Sequence, residues 1–383
     1  MSAPGPDAEP TTVREAQQMF RNFADGFSEL RLYRTLALGI AADDDVARLL
    51  LAARPGQARP ILLLAALHDL VLAHPELPAA RWYPSVTGGP VPDGDPWPDV
   101  RDAALTHADR LRRVIATRGT QTNEANRAVH MGALVAEAST DVPDAPVVLL
   151  EMGASAGLLL ELDAYRIEIG APGTPGAAVL GDPASDLVTQ GELREGSVAG
   201  LRLPRVVGRV GLDLAPVRPD DDAELRWLEA CLWPDQPERL ERFRAAVRHV
   251  RARPPHLVRG DMVADLGAVA RRAVQDADDA AGERAHLVVL SSWALTYVRP
   301  ERRADVAATL ATLADDGRPV SWVTAEPLGC VPGLPELGPG AWAGEADPET
   351  VLGAHLWRDG TALPPALWGV SHPHGAWLHW HGR

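Results

Sequence analysis

One stretch of the chain, VVLLEMGASAGLLLELDAY at 147–165, restricts the fold more than any other. Four successive apolar residues run into the acid Glu151, a pattern suited to a strand buried on both faces of a parallel sheet. Small residues follow at Gly153, Ala154, Ser155, Ala156 and Gly157, and the Leu-rich run after them reads as a helix over 156–165. A strand that passes into a helix through such residues brings its backbone close to a ligand at the carboxyl edge of the sheet. A dinucleotide fingerprint needs glycine at the first, third and sixth loop positions. Here the fifth position is Gly157 and the sixth is Leu158, which disfavours a nicotinamide-dependent oxidoreductase.

The register that does fit resembles the acid-x-G-x-G-x-G loop of class I methyltransferases, with Glu151 as the acid and Ser155 at the middle glycine. Gly153, Ala154, Ser155 and Gly157 are then expected to face the amino-acid end of S-adenosylmethionine. Later strand ends supply acids in a matching order. VGLDLAP at 210–216 ends a strand in Asp213, which can accept hydrogen bonds from both ribose hydroxyls. Its distance from Glu151 exceeds the usual twenty or so residues, and a Gly/Pro-rich insertion over 166–206 accounts for the excess. Glu168 in YRIEIG is the nearer alternative. The resemblance to class I methyltransferases implies that VRGDM sets Asp261 and Met262 against the adenine, and that LVVLSSW sets Ser291 beside the transferring methyl group, with Ser292 and Trp293 toward the acceptor. A single acid at such a place is more often an N-cap; three in this order point to a bound cofactor.

The remaining sequence divides by texture. Residues 1–10, rich in Pro and acid, read as a disordered tail. Apolar residues at helical spacing then recur through 11–140, with helices expected over 30–42, 46–53, 61–73, 100–117 and 122–138 and a Pro/Gly-rich loop over 82–98. From residue 146 strands alternate with helices: strands over 147–151, 207–213, 256–260, 286–291 and 319–325, helices over 156–165, 222–252, 262–276 and 301–315. Alternation of this kind predicts a parallel sheet with helices on both faces. Residues 355–358 and 366–380 read as antiparallel strands joined by a DG turn. The expected protein is therefore α/β, a Rossmann-like doubly wound sheet of the class I methyltransferase type over 146–383, with an N-terminal α-helical cap domain over 11–140 and a C-terminal antiparallel strand pair.

Composition narrows the partners. The formal net charge of -15 comes from 52 acidic and 37 basic residues, the latter all arginine, with no basic stripe. Such a chain repels polyphosphate, so nucleic acid is not expected as a partner. The longest apolar run, 61–67, is too short for a membrane span, and the amino terminus lacks the features of a signal peptide. Two distant cysteines, Cys231 and Cys330, give neither a disulfide framework nor a metal motif. A cytoplasmic protein acting on a small-molecule substrate is the expectation.

Methyl transfer needs little covalent help from a protein; positioning and exclusion of water do most of it. A general base is needed when the acceptor carries a proton, and Glu124, Glu326 and His68 are the candidates. Glu326 ends the last parallel strand; His68 lies on a strongly apolar helix, where a buried, satisfied histidine is the competing reading. The polar run TQTNEANR offers Gln121, Asn123 and Arg127 as a substrate-binding rim, although its Thr and Glu spacing also suits a capped helix. Tyr83, in the loop WYPS, either closes over substrate or packs. His372, His374, His379 and His381 cluster near the end, but no acid or cysteine accompanies them and Pro373 interrupts the strand, so no metal site is expected.

The segments GTQTNEANR, LLEMGASAGLLLELDAYR, RVGLDLAP, WPDQPERLERFRAA, LVRGD, SSWALTYV and SHPHGAWLHW together resemble the bacterial, largely actinobacterial family named domain of unknown function 2332, from about Phe20 to Trp380. The resemblance implies a methyltransferase-like fold. The leading functional expectation is S-adenosylmethionine-dependent methylation of a small molecule on O, N or C. Lyase or cyclase chemistry on the same cofactor, and a non-catalytic binding protein that keeps the fold, stand as alternatives.

Overall fold

The computed structural model describes residues 9–335 and 350–383, so residues 1–8 of the expected tail lie outside the described part. Two compact units emerge, one from 1–123 with 221–241, the other from 124–220 with 242–383.

The first unit is helical. Val13–Gly26 opens with a capping box in which Thr12 and Glu15 satisfy each other's backbone N–H groups. Arg31–Ala41, Pro60–Ala73, Trp97–Thr106 and Ala108–Thr117 follow, and Asp222–Ala230 returns from later in the chain. Pro60–Ala73 is buried continuously from Leu62 to Val71, and it forms the centre of this unit. Two expected helices are broken. The span 100–117 divides at His107, and 222–252 divides before Pro237, because Pro234 and Pro237 withhold the N–H groups a continuous helix requires.

The second unit carries one large sheet. Its strands are β1 Val147–Met152, β2 Arg166–Ile169, β3 Ala178–Gly181, β4 Val188–Gly196, β5 Val206–Asp213, β6 His256–Arg259, β7 His286–Ser292, β8 Val320–Glu326, β9 Thr350–Arg358, β10 Thr361–Ala362, β11 Ala366–Ser371 and β12 Trp377–Trp380. They lie in the order β3-β2-β4-β12-β11-β9-β8-β7-β1-β5-β6. The run from β8 to β6 is parallel. β9 then pairs antiparallel with β8, β10 and β11, and β11 with β12, so four antiparallel carboxyl-terminal strands stand where two were expected. The protein is thus a mixed α/β protein built on a large sheet of parallel and antiparallel strands.

Helices cover both faces of the parallel run. Leu266–Ala281 and Arg303–Ala314 meet Val148, Leu150, Leu212, Leu287, Val289 and Trp322 on one side. Ala128–Ala138, buried along its whole length, packs against β7, β8 and β9 on the other. A helix apolar all round must be enclosed, so this one belongs to the sheet unit, and the helical unit closes at Asn123 rather than near 140.

Two further differences bear on the site. The expected helix 156–165 is a 3-10 helix, Leu158–Ala164, which leads directly into β2. The expected insertion 166–206 is not a loop: it contributes β2, β3 and β4 to the sheet. Among the described residues no helix is long and apolar enough to cross a membrane.

Candidate functional site

β1 lies between β5 and β7, whose connections run to opposite sides of it. The carboxyl ends of strands at such a reversal leave a crevice in which ligands of open α/β sheets bind. Gly153, Ser155 and Gly157 form the loop there, with φ of 71°, 50° and 71°. All three are left-handed, a conformation that disfavours any side chain by roughly 1–2 kcal/mol, yet the middle one carries a serine. Two hydrogen bonds tie the loop to β5: Gly153 N donates to Leu212 O at 2.8 Å, and Ser155 N to Asp213 Oδ2 at 2.9 Å. Asp213 also accepts from Ala215 N at 2.8 Å. A Cβ on Gly153 would stand 3.1 Å from the Ala294 side chain and 3.8 Å from Met262 Cε, so the loop, the turn after β7 and the segment after β6 converge. Gly157 has a different reason for its identity, since a Cβ there would meet Pro255 at 2.8 Å and Leu257 at 3.2 Å.

Glu151 closes β1. It is buried, and Oε2 has no hydrogen-bond partner among the described residues. Burial, reinforced by Asp213, drives its carboxyl well above the ordinary range, and Arg127 opposes the shift. Arg127 is itself buried and donates from Nε to Pro373 O at 3.1 Å and from a terminal nitrogen to Ser292 O at 3.3 Å. Its neighbour Asn126 links three segments. Nδ2 donates to Gln190 O at 3.0 Å and His374 O at 3.1 Å, while Oδ1 accepts from Gln190 N at 2.9 Å.

At the ends of β7 and β8, Glu326 Oε1 accepts from Ser291 Oγ at 2.8 Å, Ala294 N at 3.0 Å and Leu295 N at 3.2 Å. The other oxygen, Oε2, is buried without a partner among the described residues. Burial pushes this carboxyl up to about 7, against the hydrogen bonds that favour its anion. Trp293, between these contacts, adopts φ 57° and donates from its indole to Thr350 Oγ1 at 2.9 Å. Strained φ values of this kind persist only where the surroundings over-determine them, and they gather at functional sites.

The structure therefore brings Glu151, Gly153, Ala154, Ser155, Asp213, Met262, Ser292, Trp293, Glu326 and Arg127 to one edge of the sheet unit. It assigns several expected residues other contacts. Ser291 donates its hydroxyl to Glu326 Oε1 at 2.8 Å. Asp261 caps its own turn, accepting from Val263 N at 2.9 Å and Ala264 N at 2.7 Å; these bonds, that from Ala264 first, lower its carboxyl below the ordinary value. Glu168 lies on β2, separated from β1 in the sheet and paired with Arg166 at 2.7 Å, so of the two acids weighed for the ribose only Asp213 stands beside β1. Glu124 is buried as the cap of the short helix Ala125–Arg127, accepting from Asn126 N at 3.0 Å. Gln121 and Asn123 belong to the helical unit. So do His68 and Tyr83, both fully buried and stacked at 5.5 Å. In the histidine cluster, His374 N donates to His372 Nδ1 at 3.0 Å and His379 meets Glu195 at 3.3 Å.

Sequence reasoning passed over Asn126, the buried strut of this edge. Its own segment, TQTNEANR, and SHPHG prove to touch: Asn126 Nδ2 donates to His374 O, and a Cβ on Gly375 would lie 2.2 Å from Asn126 O.

No curated protein matches the chain. A family model described as an uncharacterized protein conserved in bacteria (DUF2332) matches residues 17–380, a span that includes the glycine loop, the Asn126 strut and the turn it holds. The chain belongs to this bacterial family.

Proposed function

We propose that this protein is an S-adenosylmethionine-dependent methyltransferase acting on a small molecule at O, N or C, with its sheet arranged as in class I methyltransferases. The observation that carries the reading is the loop backbone. Positions 153, 155 and 157 all adopt the left-handed conformation for which an acid-x-G-x-G-x-G register would select glycine, and Ser155 keeps it despite its side chain. The parallel order β6-β5-β1-β7-β8, continued by antiparallel β9, supports the same reading.

The residues fit the cofactor. Glu151 Oε2 is a buried acceptor without a donor among the described residues, suited to an ammonium group, and Asp213 at the end of β5 suits a ribose. When bound, S-adenosylmethionine supplies a methyl group activated by its sulfonium. The chain supplies positioning and a place for a proton. Arg127 offers a cation to a carboxylate, and Trp293 and Ser292 bound the acceptor side. Glu326, anchored through Oε1, holds its bare Oε2 ready to take a proton from an acceptor hydroxyl or ammonium.

Calorimetric titration of the purified protein with S-adenosylmethionine and S-adenosylhomocysteine tests the reading. Binding of both is expected in the wild type and is expected to vanish in Gly153→Val and Asp213→Ala. A wild type that binds neither ligand overturns it. Turnover that yields methylthioadenosine instead of S-adenosylhomocysteine would redirect it to lyase or cyclase chemistry.

A further inference from the structure

The helical unit buries a second group of reactive side chains, remote in sequence from the glycine loop. His68 lies on the helix Pro60–Ala73, and its Nε2 stands 2.7 Å from Ser85 Oγ. Its Nδ1 stands 3.1 Å from the carbonyl oxygen of Ala230, at the end of the helix Asp222–Ala230. A carbonyl oxygen can only accept, so Nδ1 carries the ring hydrogen. Nε2 then faces the serine hydroxyl. Nucleophile, base and orienting group thus stand in the sequence that acyl transfer requires, with the tautomer set by the backbone.

Two phenols complete the arrangement. Tyr83 stacks on His68 with ring centroids 5.5 Å apart, and Tyr33 is buried in the same apolar core. Both are fully buried, and neither hydroxyl has a hydrogen-bond partner among the described residues. Burial raises both phenols, so each remains an O–H donor. A buried donor left unmet costs about 1–3 kcal/mol. A serine–histidine bond that served only to pack the core would give no reason for two such donors in that same core.

We propose that Ser85, His68, Tyr33 and Tyr83 form an acyl-transfer centre that hydrolyses a small carboxylic ester, an activity separate from methyl transfer. Ser85 Oγ bonds to the acyl carbon while its proton passes to His68 Nε2, and the tyrosine hydroxyls donate to the developing oxyanion. The C–O bond to the alcohol breaks, and the leaving oxygen takes the proton from His68. Water then attacks the acyl carbon, gives its proton to His68, and releases the carboxylic acid; the proton returns to Ser85.

The test uses the full-length protein, diisopropyl fluorophosphate and p-nitrophenyl acetate. A single adduct mapping to Ser85 is expected, absent in Ser85→Ala. Ester hydrolysis is expected to fall on the order of 100-fold or more in Ser85→Ala, and comparably in Tyr33→Phe and Tyr83→Phe, which keep the ring packing. Should Ser85→Ala fail to fold, the adduct site in the wild type decides alone. A folded wild type that forms no Ser85 adduct, or whose ester hydrolysis is unchanged in a folded Ser85→Ala variant, overturns the proposal. Neither result depends on S-adenosylmethionine binding.

Discussion

Glu326 shows how a single residue can be held between two roles. One oxygen accepts three hydrogen bonds at the end of β7 and the turn after it, and the other has no partner among the described residues. Its folded pKa of about 7 stands above the ordinary 4.5, so the native state binds the proton more tightly than the unfolded chain does. The stability this confers is complete below pH 4.5 and declines as pH rises through 7. The difference of 2.5 between those two values corresponds to about 3 kcal/mol. Glu326→Gln keeps an acceptor for the turn and cannot ionise. Urea unfolding at a series of pH values is therefore expected to show the wild type losing stability relative to this variant between pH 4.5 and 7, with no further divergence above that window. Parallel curves would show that Glu326 titrates normally. The strand-end position of this acid was visible in the sequence; its burial and its bare oxygen were not, because both come from β7, β8 and the following turn closing over it.

At the scale of elements, the turn 372–376 is locked to the segment before helix Ala128–Ala138 by Asn126. Gly375 sits at φ 72°, and a Cβ there would strike a backbone oxygen at 2.2 Å. Gly173 has a similar φ of 82° with open space around it. Gly173→Ala is expected to cost about 1 kcal/mol from backbone conformation alone, while Gly375→Ala adds steric displacement and is expected to cost about 3 kcal/mol. Chemical denaturation of the two variants reads the difference, and equal losses would remove the case for a fixed Asn126 contact. The five parallel strands were legible because fully buried strands read as short apolar runs, as VVLL does. β2, β3 and β4 were not: β4 presents alternating exposed residues such as Gln190 and Glu192, and Gly and Pro dominate its surroundings. The helix expected after the loop is instead the 3-10 helix Leu158–Ala164, which passes through Tyr165 directly into β2.

Across the whole molecule, the helical unit is completed by residues 221–241, which arrive about a hundred residues after the rest. Asp235 accepts from Leu32 N at 2.8 Å and Tyr33 N at 3.1 Å, capping a helix whose own start has no side-chain cap. Arg226 pairs with Asp69 at 2.9 Å, and Trp227 donates to Gly119 O at 3.1 Å. Residues 1–123 expressed alone are therefore expected to lack a cooperative thermal transition by circular dichroism. In the full chain, Asp235→Ala is expected to lose about 1–2 kcal/mol, as removal of an N-cap does. A fragment that melts cooperatively by itself would show that the returning segment is dispensable.

Local chemistry determined the parallel strands, the capped and apolar helices, the glycine loop and the acids at strand ends, because each is written in neighbouring residues through periodicity, caps and backbone freedom. Tertiary structure alone decided which unit each helix joins, that Asp213 and not Glu168 adjoins β1, that Ser291 answers Glu326, and that Asn126 braces Gly375. These depend on pairings between residues far apart in the chain, and no local pattern encodes which distant partner a buried polar group will meet.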